Sequence, residues 1–485
     1  MKNSILEIFA ENVKKIPERL CVVDETGEYS YEKLWHASKR AAYRLQKAGV
    51  KKADCVLVEC TQNADYLICY FACNLLGAYF VPIEHHASEL NVQTIYEETE
   101  AVLLICNKEY RFQAEKCVMS QIVGTDGKEL EEWTFPERVD TSEILYTTGT
   151  TGRSKGIEIS YGNNIAIAEN ICYGTQMREG NIELMPLPLS HSLGLRCCYA
   201  NFFKGGTVII ADGVTKVMEI YQLIKKYQVN ALDLTPTAAS VLLKLSRGRF
   251  AEFNEQLDYI HIGSAALSEE LKEELRSQFS KVRLYNIYGS TESGRSCALN
   301  FNSEEDRKFC IGRPTHNAKF IVTDEKRNEI QSDAAHTGLL ACAGAMNMKG
   351  YWKMPELTEQ ILKNGYVCTN DEGYIDEQGY VYILGRKDDV INYNGIKIAP
   401  EEIEEVVSKY PGIKDCACVP MADPVAGQVP KIFVALQDGA VFDKISFARF
   451  LEEAIDANKI PKQIEVIEEI PRAFNGKIQR KKLMR

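Results

Sequence analysis

The stretch YTTGTTGRSKGIEIS, residues 146–160, sets four threonines and three glycines around a single lysine. Gly149, Gly152 and Gly156 permit unusual backbone angles and close backbone approach. Thr147, Thr148, Thr150, Thr151 and Ser154 offer hydroxyls, and Arg153 and Lys155 offer positive charge. Amides, hydroxyls and a cation gathered in one loop suit a polyanionic phosphate. Taken alone, such a run equally describes a flexible surface loop, so its neighbours decide.

Those neighbours exclude two other phosphate-binding designs. A Walker A loop needs Gly-Lys after four variable residues, with a helix directly behind it. Here Ser154 precedes Lys155, and Ile157 and Ile159 alternate onto one face, which is the period of a strand. Residues 144–146 also read as a short strand, so the loop joins two strands. No GxGxxG follows a strand elsewhere, and a dinucleotide fold therefore has no support.

At 485 residues, length alone suggests about three domains, and one large plus one small domain fits equally well. A content of 45% hydrophobic and 26% charged residues is that of a soluble globular protein. The net charge of −11 argues against a general binder of nucleic acid or anionic membrane. Sixteen cysteines are scattered without zinc-like spacing, which points to buried, reduced thiols in a cytoplasmic protein. The first twenty residues carry Glu7 and Glu11 and no apolar segment, so no signal peptide is expected. The most apolar run, residues 66–76, is shorter than the roughly 18 residues of a membrane span. It reads as a buried helix, and no integral membrane segment is expected.

Strand and helix patterns alternate along the chain. Ser30 can cap a helix with Leu34, Ala37, Ala41 and Leu45 on one face. Strands are expected at 54–60, 78–83, 208–211 and 231–234, with a helix at 217–227. Such alternation predicts α/β layers with largely parallel sheets. After Arg386 the pattern restarts on a smaller scale, with helices and strands enough for a separate domain of about a hundred residues. The expected division is 1–386 and 387–485.

Four further segments bear on the phosphate loop. YNIYGSTES (285–293) places an aromatic, hydroxyls and a carboxylate at the end of a strand, where α/β proteins bind ligands. Residues 364–389 hold Asp371 in a glycine-bounded turn and Arg386 ahead of two aspartates. INYNGIKIAPEEIE (391–404) is a glycine turn entering a helix with Pro400 near its start. PRAFNGKIQRKKLMR (471–485) puts Lys477 behind Asn475-Gly476; alone, this tail reads as a solvated basic helix.

In this order and spacing the segments resemble the adenylate-forming superfamily: acyl-CoA synthetases, firefly luciferases and adenylation domains. TTGTTGRSKG is similar to its phosphate loop, YGSTE to its Y-G-x-T-E motif and TNDEGYID to its T-G-D motif. GRKDDVINYNGIKIAPEEIE is similar to its hinge, and FNGKIQRKKL to its C-terminal lysine motif. The resemblance runs essentially end to end and is nearest to 4-coumarate– and fatty-acid–CoA ligases. It implies an α/β fold, with a large N-terminal domain of layered α/β subdomains and a small mobile C-terminal α+β domain.

The resemblance also implies a reaction. A carboxylate attacks the α-phosphate of ATP, pyrophosphate leaves, and a thiol then takes the acyl group from AMP. Two anions must meet in the first step, so positioning and charge neutralisation supply most of the catalysis. Thr147, Thr148, Gly149, Thr150, Thr151, Gly152 and Lys155 would hold the β- and γ-phosphates. Thr291 would touch the α-phosphate, and Glu292 would hold Mg²⁺. Tyr288, with Asn286 and Gly289 beside it, would lie against adenine, and Gly263, Ser264 and Ala265 would line its other side. Asp371 would accept from the ribose hydroxyls with Arg386 assisting, and Lys477 would neutralise charge at the reacting centre. Ser154 stands where the family usually has proline, and Asn370 where it has glycine. Neither change removes a ligand.

Which acid is activated is less constrained. In the segment 185–195, His191 stands where acyl- and aryl-CoA ligases also tend to carry histidine. No carboxylate occurs in that segment to meet a substrate ammonium. The expectation is therefore a neutral-tailed aryl, cinnamyl-like or medium-chain acid. The acceptor implied is CoA, with the phosphopantetheine of an acyl carrier protein as alternative.

Overall fold

The computed structural model describes residues 2–148, 154–303, 307–393, 396–423, 426–456, 459–473 and 476–484. Ser30 accepts from the Lys33 amide at 3.1 Å and starts the helix Tyr31–Lys47, as an N-cap serine does. Leu34, Ala37, Ala41 and Leu45 are buried along one face of it. The apolar run forms the helix Ala64–Leu76, closed by Gly77 in the left-handed conformation at φ +67°. Its buried Tyr66, Tyr70 and Phe71 pack in one core with Phe9, Phe80 and Phe202. No described helix is long and apolar enough to cross a membrane. All sixteen cysteines are free, and all but Cys117 are buried.

Two sheets make the body of the molecule. The seven-stranded sheet carries the hairpin Thr141–Thr148 and Ser154–Ser160 near one edge, beside the parallel strands Tyr79–Ile83, Cys55–Glu59 and Leu103–Ile105. The fifteen-stranded sheet is parallel through Leu20–Asp24, Thr207–Ile210, Ile182–Met185, Ala231–Leu234, Tyr259–Ile262 and Arg283–Ser290. Beyond that point it turns antiparallel, through Gly294–Asn300, Cys310–Pro314, Val381–Arg386, Tyr366–Ile375, Gly338–Ala343 and Lys319–Thr323. The expectation of largely parallel sheets thus fails for the second half. Connections such as the one between Ser290 and Gly294 are too short for a crossover helix, so successive strands must reverse.

A third sheet is built wholly from residues after 390. It contains Ile391–Tyr393, Ile396–Ile398, Ile413–Asp423, Gly427–Leu436 and Gln463–Val466. Ile403 and Val407 of the helix Pro400–Val407, and Phe447 and Leu451 of Lys444–Ala454, are buried against it in a core of their own. Past this sheet the tail is not the helix its composition suggested. Arg472 and Ile478 form a bridge, and among the described residues a 3₁₀ turn, Arg480–Lys482, follows. The reason is tertiary: Arg480 is buried and donates to Glu404 at 2.7 and 2.8 Å and to Glu401 at 3.0 Å.

Candidate active site

The strands flanking the phosphate loop pair in register, Tyr146 with Gly156, Thr147 with Lys155 and Thr148 with Ser154. Gly149, Thr150, Thr151, Gly152 and Arg153 lie outside the described residues. Gly156 is needed for packing: a β-carbon there would sit 3.0 Å from Ile144 and 3.1 Å from Tyr146 and Trp352. The Lys155 ammonium stands 5.7 Å from the ring centre of Tyr351. Tyr351 in turn donates its hydroxyl to Glu292 Oε1 at 3.0 Å. Burial, then the Glu292 charge, pushes the Tyr351 hydroxyl pKa up, so it stays a donor. The expected phosphate lysine and metal carboxylate are thus linked through one tyrosine that no sequence motif marked.

The 290–292 turn is fixed from several sides. The Met348 amide donates to the Glu292 carbonyl at 2.8 Å, and Ser192 Oγ lies 3.3 Å from Thr291 Oγ1. Arg196, buried on the helix Ser192–Phe203, donates to the carbonyls of Thr291 at 3.0 Å and Ser290 at 3.3 Å. Burial draws the Arg196 pKa down, while Glu143 and Glu292 oppose that shift. Reading the sequence missed Arg196, although it lies five residues past His191. An arginine at core spacing on an apolar helix was the available signal.

Glycine permits two close approaches here. A β-carbon on Gly289 would lie 2.0 Å from the Gly294 carbonyl oxygen, and one on Gly263 would lie 2.4 Å from Ile287. Ser264 has φ +77°, and Ala265 follows it in the same loop. Asn286 is buried and reaches the Cys310 carbonyl at 3.4 Å.

Asp371 lies in a strand, not in the expected turn, because the hairpin register sets it opposite Arg386. Arg386 Nη1 donates to its Oδ1 at 3.1 Å, the Tyr288 hydroxyl donates to Oδ2, and the Asp371 amide donates to Thr369 Oγ1 at 3.1 Å. Tyr288, Asp371 and Arg386 therefore form one connected group.

Lys477 enters this group from the tail. Arg472 holds the tail bend, pairing with Asp415 at 2.8 and 2.9 Å and donating to the Gly476 carbonyl at 2.7 Å. The Lys477 side chain is open to water, yet protein crowds around it. Partial desolvation there lowers its pKa; Asp371 and Glu292 act against this, and Arg386 with it. Three carriers of charge from distant segments thus act on one ammonium.

His191 begins the helix Ser192–Phe203, and its Nε2 lies 3.4 Å from Glu84 Oε1. Residues 185–195 lack carboxylates, and the one beside His191 comes from a different segment.

Comparison with known proteins places the chain in a family. The family model described as AMP-binding enzyme matches residues 9–352, and that described as AMP-binding enzyme C-terminal domain matches 402–477. The chain is 26% identical to a 2-succinylbenzoate–CoA ligase of Bacillus velezensis, over 96% of this chain and 95% of that one. It is also 26% identical to 4-coumarate–CoA ligase 1 of Petroselinum crispum, over 98% and 92%. In fold it is similar to ATP-bound MatB from Rhodopseudomonas palustris, with TM-score 0.89, 24% identity and coverage of 100% and 98%. It is likewise similar to o-succinylbenzoate coenzyme A synthetase of Bacillus subtilis in complex with ATP and magnesium, with TM-score 0.88, 23% identity and 99% coverage of each chain. With family models matched over most of its length, the chain belongs to the AMP-binding enzyme family.

Proposed function

We propose that this enzyme is an AMP-forming acid–CoA ligase: it activates a carboxylic acid with ATP and passes the acyl group to the thiol of CoA. The observation that supports the reading is the convergence of Lys477 on Asp371, Arg386 and Glu292. A cation held there offsets the approach of carboxylate to α-phosphate, a charge that exists mainly in the transition state. Thr147, Lys155 and the loop between them hold the outer phosphates. Asp371 accepts from the ribose, with Tyr288 and Arg386 fixing its two oxygens. Glu292 offers a carboxylate oxygen to a divalent cation, and Tyr351 steadies that group. Bound Mg²⁺ would supply neutralisation of phosphate charge. Thr291, held by Arg196 and Ser192, meets the α-phosphate.

We assign the division between the two parts to residues 386 and 387, supported by the separate sheet and core that begin at Ile391. CoA is favoured over a carrier protein because the named relatives are CoA ligases. The net charge supports the absence of nucleic-acid partners, and the free thiols support a cytoplasmic location. The test is a carboxylate panel in ATP–pyrophosphate exchange, followed by CoA addition and product mass. Exchange without any CoA thioester would refute the acceptor, and a panel without exchange would refute the ligase.

A further inference from the structure

Residues 348–352 tie the phosphate hairpin to the turn that carries Glu292. The Met348 amide donates to the Glu292 carbonyl at 2.8 Å. The Lys349 amide donates to the Glu158 carbonyl at 2.9 Å, and the Trp352 amide to the Gly156 carbonyl at 2.8 Å. Between them the short strand Gly350–Tyr351 pairs antiparallel with Ser154–Ser160, setting Tyr351 opposite Ile157. The hairpin belongs to the seven-stranded sheet, whereas Glu292 follows the last parallel strand of the fifteen-stranded one. One segment is thus anchored to both sheets where their candidate phosphate and metal groups stand.

Tyr351 is the side chain that makes the crossing. Its amide donates to Thr358 Oγ1 at 2.9 Å, and a β-carbon on Gly350 would lie 2.8 Å from the same threonine. The strand is therefore pressed against the helix Pro355–Ile361. Tyr351 is 9% exposed, and its ring stands 5.7 Å from the Lys155 ammonium, within reach of a cation–π contact. Its hydroxyl donates to Glu292 Oε1 at 3.0 Å. Among the described residues no other hydrogen bond reaches that carboxylate. With Oε1 taken, Oε2 is the oxygen left to face a cation.

A carboxylate without such a donor turns about its last bond and must be ordered when a metal binds. One that is already held presents a single oxygen in a single direction. Donors behind metal ligands act in this way, and losing one typically costs about 10–100-fold in metal affinity or activity. Burial and the Glu292 charge keep the Tyr351 hydroxyl protonated, so the donor persists.

We propose that Tyr351 is a positioning residue that couples two parts of ATP capture: its hydroxyl aims Glu292 Oε2 at the divalent cation, and its ring seats Lys155 for the outer phosphates. This rests on the ligase reading above. Packing alone would need the ring but not the hydroxyl, and phenylalanine would then serve equally well.

The test is calorimetric titration of the full chain with ATP, once in EDTA and once in excess Mg²⁺. The parent should bind ATP more tightly with Mg²⁺. Tyr351→Phe should cut that advantage about tenfold while leaving metal-free binding nearly unchanged. In pyrophosphate exchange the same variant should need more Mg²⁺ and recover most of its kcat when Mg²⁺ is saturating. Tyr351→Leu, which also removes the ring beside Lys155, should weaken metal-free ATP as well. Glu292→Gln should lose the Mg²⁺ advantage, and adding Tyr351→Phe to it should cost nothing further. Melting curves establish that each variant folds. An unchanged Mg²⁺ advantage in Tyr351→Phe would overturn the inference, as would a further loss in the double variant. Identical behaviour of the phenylalanine and leucine variants would remove the coupling to Lys155. Parent enzyme that binds ATP with Mg²⁺ but exchanges pyrophosphate with no acid would instead remove the ligase reading, and the inference with it.

Discussion

Gly476 packs so closely on Thr237 that a β-carbon at position 476 would lie 2.3 Å from Thr237 Oγ1. The contact joins the lysine-bearing tail to the start of the helix Pro236–Ser246, and Gly476 meets it with φ +82°. Gly476→Ala should therefore slow adenylation at least about tenfold, since a left-handed backbone costs an alanine about 1–2 kcal/mol before any clash. Adding Thr237→Ala should return part of the rate by removing the clash and leaving the backbone strain. Pyrophosphate exchange by the single and double variants measures both terms. No recovery in the double variant would mean that the contact does not seat Lys477.

Lys477→Ala should lower adenylation by about a hundredfold or more while leaving ATP binding nearly intact, because its charge acts in the transition state. The lysine works as a cation, present below its pKa and lost above it. Desolvation by the surrounding protein places that pKa below the ordinary 10.5. Activity should thus fall along an alkaline limb centred below 10.5, and Lys477→Arg should move that limb upward. Equal damage to binding and turnover in the alanine variant would make the residue an ATP anchor.

Asp388 lies in the turn after Arg386, where the Asp389 and Val390 amides donate back to the Arg386 carbonyl, both at 2.8 Å. Its carboxylate is 3.7 Å from Lys481. If the small part must reorient between half-reactions, this turn is where backbone change is least costly. Asp388→Pro fixes φ and should spare pyrophosphate exchange while cutting single-turnover CoA transfer about a hundredfold. Losses of the same size in both assays would reduce Asp388 to a turn residue.

Arg480→Ala would leave the half-buried Glu404 and Glu401 without their buried cation, a change whose cost approaches the roughly 3–5 kcal/mol of a broken buried pair only in part. Thermal melting should register it as a loss of Tm, partly restored by Glu404→Gln. A melting curve like that of the parent would show the pair to be dispensable.

The sequence was most informative where function depends on short local patterns. The phosphate hairpin, the strand carrying Tyr288 and the Asp371–Arg386 pair each announce themselves by type and order. Tertiary partners stayed hidden, because Arg196, Tyr351, Arg472 and Thr237 carry no local signature and act only through what they touch. The tail looked helical because its basic composition is local, whereas Arg480 answers to carboxylates on another element.

Burial of nearly every thiol gives the molecule a built-in clock. A thiol hidden from water is held in its unreactive protonated form, and of the sixteen only Cys117 is partly exposed. Alkylating reagents should find little to modify in the native protein, so thiol consumption will follow the rate at which the chain opens. With buried cysteines in the two large sheets and in the small C-terminal one, peptide mapping of the label would reveal the order in which those layers come apart.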